Sequence, residues 1–476
     1  MLKRILLTAR WIIGHRDGAH VVHENGVAVI EGDRVLFTGP AWDGEADERI
    51  DYGQAIVAPG FIDLDALSDL DTTILGYDST PAWQKGRVWP ESYVAAGPYE
   101  MYSPAELAFQ KRFAFAQLIR NGITTALPIA SLFYREWGET AAEFEAAAEA
   151  AEELGLRVYL GPAYRTGGQV VDTAGTIRAV YDAERGFQGL EEAAAFAAKV
   201  DGRAGGLVRA MFAPDRIETC TAALLQRTHA IAAEMGAPVR QHSCQSPTEL
   251  RLVQEQHGCS PIEWLDRIGA IGANWLLPHG TQASERDFAL MAHHGATLVH
   301  CPLVSARHGG MLRSVPKCRA QGMNIGLGTD TWPPDMILNM QVGMMTARIS
   351  DGIDAIRSEA MFDAATLGGA AALNRPDLGR LSPGAKADIA VIDLRRCLQT
   401  ADPVQTVMTA TSGRDVRDVW IDGRRVMSDG AIPGFDPDAE FGRAQAQFDG
   451  LIAKYPERTL NHPPVEQIFD PSYRRL

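Results

Sequence analysis

From about residue 59 onward, short apolar runs alternate with longer helical ones, and several of the apolar runs end in a polar residue. FIDLDAL, ITTALPIA, LRVYLGP, APVRQHS, WLLPHG, ATLVHCP and NIGLGTD read as strands. A helix is predicted to start at Ser103-Pro104, where Ser103 caps, Pro104 suits the first turn and Glu106 closes a capping box, and to stop near Asn121-Gly122. AAEFEAAAEAAEELG, the alanine-rich stretch at 191–199 and segments near 219–235, 247–257, 261–269 and 358–373 supply further helices. Such alternation predicts an α/β fold with a parallel sheet. Periodicity alone leaves a doubly wound sheet open, but no Gly-x-Gly-x-x-Gly follows a first strand and no phosphate loop is present. Asp63, Asp65, His242, His279, His300 and Asp330 stand at strand ends. A (β/α)8 TIM-like barrel gathers its reactive residues at that rim, so a barrel over residues 59–375 is the expected core.

The chain ends have a different texture. Residues 1–58 carry RILLTARWII, GVAVIEG, RVLFTG and AIVAP, separated by turn signals such as Asn25-Gly26. Strand-like segments return over 376–450 as ADIAVI, VQTVMTA, VRDVWIDG and RRVMSDG. These are expected to pair with the N-terminal strands, so that both chain ends build one small β-sandwich. Residues 451–476 are expected to form a C-terminal extension over the surface.

Composition removes several classes. With 476 residues, 46% hydrophobic and 22% charged, the chain is an ordinary globular protein large enough for a barrel and a smaller module. Its 45 Lys and Arg against 60 Asp and Glu give a formal charge of -15, which disfavours a nucleic-acid partner. No run reaches the roughly 18 apolar residues of a membrane span, and the segment MLKRILLTARWII reads as a strand, not a cleaved leader. The six cysteines include no Cys-x-x-Cys pair, so neither a zinc ribbon nor a disulfide scaffold is expected, and a cytoplasmic protein fits best.

In PGFIDLD, alternate strand residues share a face, so Asp63 and Asp65 should project together. Two such carboxylates can bind a cation, share a proton or receive a basic substrate, or simply polarise a strand end. His242, His279 and Asp330 end other apolar strands, and their imidazole and carboxylate groups suit zinc, cobalt, iron or manganese. An ion with an open position would activate water. Trp83, Trp89, Tyr93, Tyr99 and Tyr102 lie in the long insertion before the Ser103 helix. They fit an aromatic lid over a substrate, or a fastening to a partner subunit.

APGFIDLD, the His242 and His279 segments, GLGTD, AATLGGAAAL, LSPGAKADIAVID and VRDVWIDGRRV, taken in order, resemble the metal-dependent amidohydrolase superfamily over nearly all of the chain. The likeness is nearest the branch of triazine chlorohydrolases and cytosine and guanine deaminases. It implies that His242, His279 and Asp330 hold one divalent ion and that Asp330 takes a proton from the attacking water. The resemblance gives His279 the alternative role of orienting that water or the substrate, and His300 and His308 are substrate-contact candidates beside Trp83, Trp89 and Tyr93. The activity implied is water attack on a C–N or related bond of a small neutral or basic molecule: an amide, urea, carbamate, thiocarbamate or substituted heterocycle. The resemblance also implies a homo-oligomer, and no organic cofactor is expected.

Two departures matter. Where the superfamily usually has His-x-His on its first barrel strand, this chain has Asp63 and Asp65. If both carboxylates joined the other ligands on one divalent ion, the site would carry a formal charge of minus one, against plus one for four imidazoles and one carboxylate, and would be a poorer Lewis acid. The two carboxylates therefore complete an altered one-metal site, support a second ion, or point away. Three residues after His242 stands Gln245, where related deaminases often carry a proton-shuttling Glu. An amide orients but does not exchange protons as a normal acid. Gln245 thus favours hydrolysis that needs little leaving-group protonation over a heterocycle deaminase or dechlorinase with an unusual proton path. A noncatalytic binding or scaffold protein of the same fold is the third reading.

Overall fold

The computed structural model describes residues 2–70, 73–76, 88–313, 315–469 and 472–474. Two parallel four-stranded sheets form the barrel. The first orders Phe61–Leu67, Ile123–Ile129, Arg157–Leu160 and Val208–Ala210; the second orders Val239–Arg240, Trp275–Pro278, Thr297–His300 and Ile325–Leu327. One seam is bridged by Phe212 and Val239, with Arg240 N–H donating to the Phe212 carbonyl at 2.9 Å. At the other seam Asp330 N–H donates to the Asp65 carbonyl at 2.8 Å. The sequence order of the strands is their spatial order, as a barrel of β/α units requires.

Helices follow the strands where capping residues start them. Ser103 and Glu106 form the capping box that opens Pro104–Arg120. Ser260 and Glu263 do the same for Pro261–Arg267, and Ser284 with Asp287 for Glu285–His294. Ile62, Leu64, Leu127, Tyr159, Leu276 and Val299 pack together in one buried cluster. Phe61, Ala126, Val158, Leu277 and Leu298 join helix residues such as Phe113, Phe144 and Leu190 in another. Alternate residues of each strand thus serve two cores, which is why the strands read as continuous apolar runs.

Strands from both chain ends form one eight-stranded sheet. Ala55–Pro59, which leads directly into the barrel, pairs antiparallel with Ile389–Asp393 in the register Val57 to Val391. Arg157 on a barrel strand reaches this sheet through the buried carboxylate of Asp388, with contacts of 3.2 Å. All six cysteines are free.

One sequence expectation fails here, and one element was missed. VQTVMTA is not a strand but lies in the helix Pro403–Ala410. Asp402 accepts from the N–H groups of Val404 and Gln405 and Pro403 fills the first turn, so an N-terminal cap overrides the β-branched content. The hairpin Gly167–Val171 with Ile177–Tyr181, which also pairs with Trp89–Pro90, had not been anticipated. It fixes part of the aromatic insertion: Trp89, Tyr93 and Tyr102 pack with Tyr134, Val170, Tyr455 and Ile468, and the last two belong to the C-terminal extension.

Candidate metal centre

At the C-terminal rim of the strands, Asp65, His242, His279 and Asp330 each bring one ligand atom within 4.8 Å of the others. His242 Nε2 lies 3.9 Å from Asp65 Oδ2, and His279 Nε2 lies 3.7 Å from Asp330 Oδ2. The two imidazoles stack with centroids 5.1 Å apart and planes 14° from parallel. The strand ends bend sharply to present them. His279 has φ 78° and Asp330 φ 44°, left-handed values that are uncommon for residues with a Cβ and that recur at functional sites.

Burial, reinforced by the cations Arg216 and Arg240, holds both imidazoles well below the usual histidine range. They are therefore neutral near pH 7, the form that offers a lone pair to a metal. His242 Nδ1 sits 3.4 Å from the Asp215 carbonyl, which leaves Nε2 toward the cluster. Among the described residues, His279 Nε2 is buried without a hydrogen-bond partner, a costly situation that a metal ion at this point would relieve. Two imidazole nitrogens and two carboxylate oxygens form a donor set that suits a divalent transition metal. The four residues make a single buried site able to coordinate one divalent ion.

Asp63 is held elsewhere. Pairing with the neighbouring strand shifts register between Asp63 and Ala66, which breaks the simple alternation expected of the two carboxylates. Asp63 accepts from the N–H groups of Thr329 and Asp65 and from the Thr329 hydroxyl. Asp65 instead faces Arg240, whose Nη1 lies 3.0 Å from its Oδ1.

Beside the cluster lies a cavity of about 440 Å³, lined in part by Trp89, Arg165, Arg216, His242, His308 and Asp330. Gln245 lines it too, and its Oε1 accepts from Arg216. Tyr93 packs behind Trp89 at 5.5 Å and does not reach the wall, while Trp83 lies outside the described residues. His300 is also absent from the wall; it is fully buried, and burial lowers its pKa to about 4.

Four neighbours of the site were not singled out from the sequence. Arg240 and Arg216 flank the imidazoles. Asp215 approaches Arg165 to 4.0 Å, and Asp69 lines the cavity. Asp69 Oδ2 accepts from Ser131 N–H at 2.8 Å, its Oδ1 has no partner among the described residues, and burial pushes its pKa up to about 7. Arg240 had a detectable signal: it stands two residues before His242 in the apolar run APVRQHS, so alternation as a strand would turn both to one side. Arg216 and Asp215 follow Ala213-Pro214, a strand too short to stand out by periodicity.

This barrel, with its two-imidazole, two-carboxylate cluster, defines a metal-dependent hydrolase acting on C–N bonds of small organic substrates. A family model for the amidohydrolase family matches residues 56–426, and the chain belongs to that family. Among curated proteins it is similar to a 5-methylthioadenosine/S-adenosylhomocysteine deaminase of Desulfitobacterium hafniense, 26% identical over 91% of this chain and 96% of the relative. A protein of the same name from Haloarcula marismortui is 29% identical over 89% of this chain and 93% of its own length. Among solved structures, zinc-bound atrazine chlorohydrolase from Arthrobacter aurescens TC1 superposes with a TM-score of 0.77 at 18% identity, covering 93% of this chain and 99% of the other. A zinc-bound adenosine deaminase from Xanthomonas campestris gives 0.76 at 20% identity, covering 94% and 98%. These two likenesses concern the fold.

Proposed function

We propose that the protein hydrolyses a C–N or related bond in a small amide, urea, carbamate, thiocarbamate or substituted heterocycle, with His242, His279, Asp330 and Asp65 holding one divalent ion. The observation that carries this reading is the convergence of those four groups beside the 440 Å³ cavity. When bound, the ion supplies a Lewis acid that lowers the pKa of water and polarises the scissile group. Asp330, at the rim and on the cavity wall, accepts the proton of the attacking water. Gln245, tethered by Arg216, orients the substrate or the water and does not transfer a proton. Trp89 and His308 bound the space in which the substrate lies.

The wall carries charges of both signs. Arg165 faces Asp215, and Arg216 is engaged by Gln245 with Asp215 and Glu218 nearby. Cations so matched favour a neutral substrate, and Asp69, a buried carboxyl on the same wall, is the feature that would receive a basic one. Incubating the metal-loaded protein with a library of these classes in ¹⁸O-labelled water tests the proposal. Label is expected in one product with release of an amine or related leaving group; unlabelled products, or no turnover by protein carrying one ion per chain, would contradict it.

Deamination of an amino heterocycle is the second reading, favoured by the names of the curated relatives. Ammonia release from 5-methylthioadenosine would select it. We further infer a cytoplasmic homo-oligomer. Six free cysteines suit a reducing compartment, and Met345 and Ile349, four residues apart on the helix Met336–Asp351, are both exposed. Among the described residues, no helix is long and apolar enough to cross a membrane.

A further inference from the structure

Asp65 takes the place that an imidazole usually occupies on the first barrel strand of this superfamily, and a carboxylate there adds a negative charge to the site. The compensating group lies across the barrel. Arg240 Nη1 sits 3.0 Å from Asp65 Oδ1, and both side chains are essentially inaccessible, at 2% and 0%. Asp65 Oδ2 is left facing His242 Nε2 at 3.9 Å, with Cys301 Sγ at 3.6 Å. The two oxygens of one carboxylate are thus divided between a guanidinium and the metal cluster. Among the described residues Arg240 Nε has no partner, so its tie to Asp65 is the salient one that this buried cation makes through its side chain.

We propose that Arg240 is a positioning residue of the metal centre, holding Asp65 Oδ1 so that Oδ2 serves as a single ligand oxygen and restoring the positive charge that a carboxylate ligand removes. With a divalent ion, two carboxylates and this guanidinium, the formal charge comes to plus one, the same as four imidazoles and one carboxylate. The Lewis acidity lost by exchanging imidazole for carboxylate is thereby recovered without a further ligand. The opposing reading gives Arg240 a purely structural role, that of satisfying a buried acid.

The two roles differ in the sign of one measurement. A nearby cation repels a divalent ion, and in a buried site this repulsion is much larger than in water. Removing it should tighten metal binding even though Asp65 loses an anchor, whereas a guanidinium whose charge the ion does not sense would, when removed, leave binding unchanged or weaker through the lost anchor alone. This inference rests on the metal reading above.

The test is the dissociation constant of zinc for apo-protein, measured by chelator competition alongside the melting temperature. Arg240→Met should bind zinc at least about tenfold more tightly than the parent while its apo form melts earlier. Arg240→Lys, which keeps the charge, should stay within about threefold of the parent. The double variant Asp65→Asn/Arg240→Met removes both buried charges, remains readable if the single Met variant does not fold, and should bind more weakly than the parent because a charged ligand is gone. Folded Arg240→Met binding zinc no more tightly than the parent, or the double variant binding as well as the parent, would overturn the proposal. A parent that binds no divalent ion at all would instead overturn the metal reading on which it depends.

Discussion

Thr329 holds both oxygens of Asp63, its backbone N–H donating to Oδ1 at 3.0 Å and its hydroxyl to Oδ2 at 2.5 Å. Thr329 immediately precedes Asp330, and Asp63 stands two residues before Asp65. The pair therefore ties the first barrel strand to the last at the point where both deliver a metal-site carboxylate. With its oxygens so engaged, Asp63 is expected to support the centre from outside it.

Asp63→Ala should accordingly leave metal stoichiometry at one ion per chain while lowering stability. Three buried donors would lose their acceptor, at a cost of roughly 3–9 kcal/mol in total at about 1–3 each. Denaturant unfolding and elemental analysis of the folded variant check this. Folded protein without metal would identify Asp63 as a ligand.

Asp69 provides a pH signature. Burial raises its carboxyl from 3.8 in the reference state to about 7 in the fold, with Lys111, Arg135 and the Ser131 N–H opposing and Glu139 reinforcing the rise. The folded state binds more protons than the unfolded one between these values, so Asp69 favours folding at low pH and this contribution is lost as pH rises through about 7. Asp69→Asn should match the parent near pH 4 and gain stability relative to it toward pH 8, by a few degrees in melting temperature. A difference that does not vary with pH would contradict this.

The barrel was legible because its strands serve two cores and its capping boxes are local. Ser103 and Glu106 announce the helix that follows them. The clustering of His242, His279 and Asp330 was legible because each polar residue ends an apolar run. What was not legible depends on partners distant in sequence. Whether Asp63 or Asp65 faces the cluster is set by a register shift against a neighbouring strand and by Arg240, 175 residues away. The VQTVMTA helix was hidden because one cap at Asp402 outweighs the strand preference of the residues after it.

Gln245 is tethered by Arg216 on the cavity wall. Gln245→Ala should lower kcat/KM by roughly tenfold, the scale of one lost hydrogen bond to a charged group. The pH–rate profile should keep its shape, because an amide contributes no ionisation of its own. Loss of a limb of that profile would show that position 245 governs a proton transfer after all.

Asp330→Asn keeps the shape of the side chain but not its basicity. The expected loss in kcat is roughly 10²–10⁴-fold, the range of a general base. Metal content, determined on the same sample, separates loss of the base from loss of the ion. Full occupancy with unchanged kcat would remove Asp330 from the proton path.

The most direct measurement is an anomalous-difference map from crystals of cobalt-loaded protein. The expected result is one peak per chain, about 2.0–2.3 Å from His242 Nε2, His279 Nε2 and an oxygen each of Asp65 and Asp330. A peak away from these four groups, or active protein with no peak, would contradict a hydrolase built on this centre.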